Sequence, residues 1–157
     1  MRRSLVVPSM VTAALLAACA SPRFDPNDPK VAAEIDSIVA VAMDGASHVD
    51  ADKVLSIAGG DTALTFVTGD IILSGLEHIR ARFKDTYTGL ASQHQTLDQK
   101  RVRLIAPDVA IVMATAEGTY TMKSGWTSPP VGIGTTIVFV RQNGAWHAVH
   151  AHQSIAF

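Results

Sequence analysis

Apolar positions along this chain change period from one region to the next. Leu5 to Ala18 is an uncharged run of 14 residues, mostly Leu, Val and Ala, shorter than the ~20 apolar residues a membrane-crossing helix needs. From Val31 the pattern turns helical. Val31, Ile35, Ile38, Val39, Ala42 and Met43 form one stripe, opened by Asp28-Pro29 as N-cap and first-turn proline, with Gly45 expected to end it. Asp50 starts a second, short helix carrying Val54, Leu55 and Ile57, stopped by Gly59-Gly60. Ala63 to Val67 reads as a strand, turned at Thr68-Gly69-Asp70 and answered by Ile71-Ile72-Leu73. Ser74-Gly75-Leu76-Glu77 has capping-box spacing and predicts a third helix. Its core face is Leu76, Ile79, Phe83 and Tyr87, with Glu77, Arg80, Arg82, Lys84 and Asp85 in solvent.

Beyond Gly89 the pattern is that of strands, near 92–105, 109–122, 131–141 and 145–155. Pro107-Asp108 separates the first two, and Ser124-Gly125 with Pro129-Pro130 opens a longer loop. Asn143-Gly144 is the strongest hairpin signal, because that dipeptide accepts the positive φ angles of a tight turn. Helices followed by an antiparallel run predict an α+β domain.

The front of the chain supplies an address. Arg2 and Arg3 precede the uncharged run, small residues close it, and the whole reads as an export signal over residues 1–18. Leu16-Ala17-Ala18-Cys19 resembles a lipobox, which implies a lipid on Cys19, the chain's one cysteine. A lone Cys allows no intramolecular disulfide; the alternative is an ordinary secretory signal with a chance Cys. Residues 19–28 are polar and Pro-rich and read as a tether, and 29–157 as the domain. Residue 20 is Ala rather than Asp, which under the usual bacterial sorting rule favours the outer membrane, on its periplasmic face, over the inner. Without Arg2 and Arg3, 11 basic residues face 14 acidic ones, and no basic run points to nucleic acid.

The order helix, helix, strand, helix, four strands resembles the nuclear-transport-factor-2-like superfamily, and within it the SnoaL-like proteins and the association domain of calcium/calmodulin-dependent kinase II. The likeness rests on Asp50-Ala51-Asp52-Lys53-Val54-Leu55, on Ser74-Gly75-Leu76-Glu77-His78-Ile79, and on the closing Asn143-Gly144-Ala145-Trp146-His147-Ala148-Val149-His150-Ala151-His152-Gln153-Ser154. It implies a cone: a curved antiparallel sheet wrapped around three N-terminal helices, with a pocket inside and frequent dimerisation through the sheet. It places Val149, Ala151 and Gln153 on the pocket side with Ile137 and Phe139, closed by Phe66, Phe83 and Tyr87. Such a lining suits a small hydrophobic ligand, or is simply packed core.

Strict alternation on the last strand puts Trp146, Ala148, His150, His152 and Ser154 on one face and His147, Val149, Ala151, Gln153 and Ile155 on the other. Trp146, His150 and His152 then form the expected dimer face. A metal at the histidine pair would need a third ligand, with His94 or Glu117 the plausible recruits; hydrogen bonding within a sheet interface is the simpler expectation, and no metal is expected. For catalysis Glu117 is the best candidate acid/base, with His94 or His147 as partner. The ketosteroid-isomerase carboxylate is absent from Leu64-Thr65-Phe66-Val67, and the first helix has no Tyr. Gly132-Ile133-Gly134 lies in an apolar strand and precedes no helix, so it is no nucleotide loop. Trp126 is expected to cap the pocket or shield a sheet edge. Three readings stay open: a lipid-anchored binder of a small apolar molecule, a cofactor-independent SnoaL-like enzyme, and a homodimeric interaction module. None calls for a cofactor.

Overall fold

The computed structural model describes residues 24–60 and 63–156. The expected export signal, residues 1–18, and Cys19 lie outside them. Three α-helices, α1 (Pro29–Ser47), α2 (Ala51–Leu55) and α3 (Leu76–Thr88), accompany six strands: β1 (Thr65–Thr68), β2 (Ile71–Ser74), β3 (Leu90–Ala106), β4 (Val109–Met122), β5 (Val131–Gln142) and β6 (Ala145–Ala156). The strands form one sheet in the order β2-β1-β6-β5-β4-β3. β1 runs parallel to β6 and every other pair is antiparallel, so the sheet is mixed rather than wholly antiparallel.

Asp28 caps α1, its carboxylate accepting from Lys30 N, and Asp50 caps α2 by accepting from Lys53 N. Gly45 does not end α1. The helix continues to Ser47, and Gly45 is buried where a Cβ would stand 2.7 Å from Val54 N, so its lack of a side chain lets α2 pack on α1. The capping box is not made either. Ser74 belongs to β2 and Gly75, at φ 90°, is the N-cap of α3 without a side-chain bond. The hairpin turn at Asn143-Gly144 has φ 52° and 82°, both positive as that dipeptide allows.

The core lies between the helices and one face of the sheet. Ile35, Ile79, Val112 and Phe139 are its largest fully buried side chains, with Leu55, Leu64, Leu73, Leu76, Leu104 and Ile137 around them. A smaller cluster of Ala116, Val131 and Ile133 sits further along the same face, with Tyr120 and Ile155 against it.

One register shift decides which side chains join the core. Val138 pairs with His150, but Phe139 pairs with Ala148, so Val149 is an extra residue in β6. Such a bulge resets the alternation. Trp146 and Ala148 before it, and Ala151 after it, all turn to the helices.

Candidate functional site

The helix-facing side of the sheet is filled at the end where β5 turns into β6. Trp146 is 5% exposed and donates its Nε1–H to Glu34 on α1 at 3.0 Å. Arg141 bonds the same carboxylate at 2.7 Å and lies 4.6 Å above the Trp146 ring. Trp146 therefore belongs to the core, not to the expected dimer face, because the Val149 bulge reverses its side. Ile137 and Phe139 are core as well, and Ala151 packs against them. Val149 is the bulge residue itself, so it falls outside the alternation that put it in the pocket.

Phe66, Phe83 and Tyr87 come together. Their rings follow one another at 5.3 and 5.8 Å, tilted and edge-on, carrying the apolar lining from β1 along α3. Gln153, half-buried, stands beside Thr135 and next to Thr68. Beyond Tyr87 the lining becomes polar. Gln93, on β3 and 8% exposed, donates from Nε2 to Ala46 O at 2.7 Å and to the Tyr87 hydroxyl at 3.1 Å. The phenol accepts from Gln93, and its own hydrogen stays available as a donor. Tyr87 also lines an open depression of about 390 Å³ between α2 and α3, with Val49, Asp50, Ala51, Asp52, Lys84 and Thr88.

Burial pushes the Tyr87 phenol above its ordinary 10.0, opposed by the Gln93 bond and aided by nearby Tyr120 and Asp50. Burial raises Tyr120 too. A phenol raised in the fold stabilises it fully below the unfolded value, and that contribution is lost as pH rises through the folded one. Urea unfolding is thus expected to show stability falling above about pH 10, less steeply for Tyr87→Phe; equal slopes would show that Tyr87 does not carry the effect.

The expected acid/base group is on the other side. Glu117 and His94 are exposed and face away from the helices, and His94 Nε2 lies 3.5 Å from Thr96 Oγ1. His147 is on β6, half-buried, with its ring against Gly59: a Cβ there would fall 1.8 Å from its Nδ1. The three candidates do not meet, and none faces the aromatic lining. The carboxylates that α1 brings to the helix side are engaged, Glu34 as above and Asp36 with Lys100 at 2.7 Å. Among the described residues no group of three His, Cys, Asp or Glu is placed to hold a metal.

The outer face carries His150, half-buried and 2.7 Å from Thr65 Oγ1, and His152, exposed. Around them stand Met113 and Ile72, 40% and 73% exposed, with Val67, Ile111 and Val138 half-buried. A groove of about 380 Å³ crosses this face, bordered by Gln99, Arg101, Met113, Gly134, His152 and Ser154. Trp126, 58% exposed in the β4–β5 loop, borders neither the depression beside Tyr87 nor this groove. Sequence reasoning missed Gln93, Glu34 and Arg141, whose partners lie on other elements. Gly132 and Gly134 had a signal, alternate positions of one strand face.

The model of the calcium/calmodulin-dependent protein kinase II association domain matches residues 31–156. The chain belongs to this association-domain family. Similar solved structures agree in fold. A Xanthomonas campestris protein whose name proposes the same association domain is 24% identical, with 85% of this chain and 89% of that one covered and a TM-score of 0.62. A nuclear-transport-factor-2-like protein of Salmonella enterica serovar Typhimurium is 16% identical, covering 82% and 93%, with a TM-score of 0.73. A ketosteroid isomerase-like protein of Erwinia carotovora is 15% identical, covering 78% and 94%, with a TM-score of 0.66. No curated protein sequence matches the chain significantly. At these identities the structures share the fold alone, and this association-domain chain keeps the α+β cone with its own side chains on both faces.

Proposed function

We propose that this chain is a self-association module, held at the cell envelope by a lipid on Cys19. One observation carries it: the helices pack on one face of the sheet, and among the described residues no element covers the other. A sheet face bearing Ile72, Met113 and half-buried Val67, Ile111 and Val138 is one that a partner stabilises by removing it from water. The family's name, association domain, points the same way. The lipobox-like Leu16-Ala17-Ala18-Cys19 and the short tether supply the membrane address, periplasmic and on the outer membrane by the Ala at position 20.

The test is sedimentation of the full chain, purified from a bacterial envelope in mild detergent, with the mass of its N-terminal peptide measured alongside. A dimer whose Cys19 peptide carries acyl chains is expected. A chain that stays monomeric at every concentration removes the association, and an unmodified Cys19 removes the anchor.

A second reading is favoured by Tyr87, a phenol held as donor by buried Gln93 at the end of an aromatic lining. In that reading the domain also holds a small, largely apolar molecule with one hydrogen-bond acceptor. Native mass spectrometry of the same preparation is expected to show a bound adduct that Tyr87→Phe weakens, and its absence from both forms would end this reading.

A further inference from the structure

Gly132 and Gly134 both lie on the outer face of β5, and the chain itself demands a glycine at neither. Neither has a positive φ. A Cβ at 132 would meet only the Ala156 Cβ at 3.8 Å, ordinary contact, and one at 134 would meet Ser154 Oγ at 2.9 Å, the end of a side chain that can swing aside. Inside a strand glycine carries an entropic cost and packs nothing, and it marks places where another backbone or a ligand comes close. Two at alternate positions leave a trough beside the groove described above.

The same face holds matching parts. Met113, on the neighbouring strand, projects 40% exposed. Arg101 stands beside Met113, and Glu117 stands beside Gly132. Both are exposed, and neither takes part in an ion pair among the described residues.

We infer that the trough at Gly132 and Gly134 is the seat for Met113 of a second copy, and that the same two-fold axis pairs Arg101 with the partner's Glu117. In a two-fold interface a residue meeting a second is met by that second in return, so a knob and a hole on one face complete each other. The charges give an independent check. On a grid of strands ~4.8 Å apart with ~3.3 Å per residue, an axis midway between Met113 and the trough carries Arg101 to within about 2 Å, in projection, of the partner's Glu117. One operation satisfies both complementarities. The face spans on the order of 800 Å², about what each partner buries in a standard interface.

This inference rests on the association reading and specifies its contact. The experiment is sedimentation velocity on the full chain in mild detergent over a concentration series, with thermal unfolding as control. Gly132→Val fills the trough and suits a strand, so the dimer dissociation constant is expected to rise on the order of tenfold or more, with the unfolding temperature of the monomer, read at dilution where both forms are dissociated, unchanged or higher. Arg101→Glu and Glu117→Arg should each weaken the dimer, and the double reversal should restore it. A wild-type dimer indifferent to Gly132→Val, or a double reversal that rescues nothing, overturns the contact while leaving association intact. A monomeric wild type overturns the association reading and this contact with it.

Discussion

Deleting Val149 is expected to remove at least ~3–5 kcal/mol of stability, the range for losing a buried Trp, out of the ~5–15 kcal/mol a domain holds. Val149 is the extra residue between the Val138–His150 and Phe139–Ala148 pairs. Without it, β6 returns to strict alternation, and a shift of one residue sends a whole set of side chains to the opposite face. Either Trp146 and Ala148 turn outward, or Ala151, Gln153 and Ile155 do. The first outcome strips Glu34 of its indole donor and Arg141 of the ring beneath it; the second removes Ala151 from the core and Ile155 from the smaller cluster. Urea unfolding of the deletion variant, beside a control lacking exposed Ser124 in the β4–β5 loop, separates register from mere shortening. A Val149 deletion as mild as the loop deletion would show that β6 needs no bulge.

Phe139→Ala is the second large effect, expected at ~3–5 kcal/mol. Phe139 has no exposed surface and lies in the main core with Ile35, Val112 and Ile137. Its loss removes the apolar area and leaves a cavity that α1, tied by Glu34 to Trp146 and by Asp36 to Lys100, is poorly free to fill. Thermal unfolding is expected to drop by roughly 10–20 °C. Phe139→Leu, which keeps most of the volume, should lose much less. Equal losses in the two variants would mean that the ring packs no better than any apolar group.

The two faces of the sheet divide what this chain can do. The helix side binds the fold together and ends in the Tyr87–Gln93 contact, while the outer side presents Met113, the glycine trough and exposed Arg101 and Glu117. Glu117 illustrates why side matters more than residue type. A carboxylate facing an apolar cavity has its proton affinity raised and suits acid/base chemistry, whereas Glu117 stands exposed on the face away from the helices. On the outer face the proposed contact sets it against the partner's Arg101.

Local pattern determined the order and kind of the elements, the Asp28 and Asp50 caps and the Asn143-Gly144 turn, because spacing, capping and turn chemistry act over a few residues. The last stretch from Asn143 also carried the family resemblance that the match over residues 31–156 bears out. Tertiary structure alone decided the side of Trp146, the parallel place of β1 beside β6, and the separation of Glu117 from the aromatic lining. A bulge is a property of two strands in register, and strand pairing joins residues far apart in the chain. Thr65 meets His150 only when the sheet closes, and no period within either segment records that meeting.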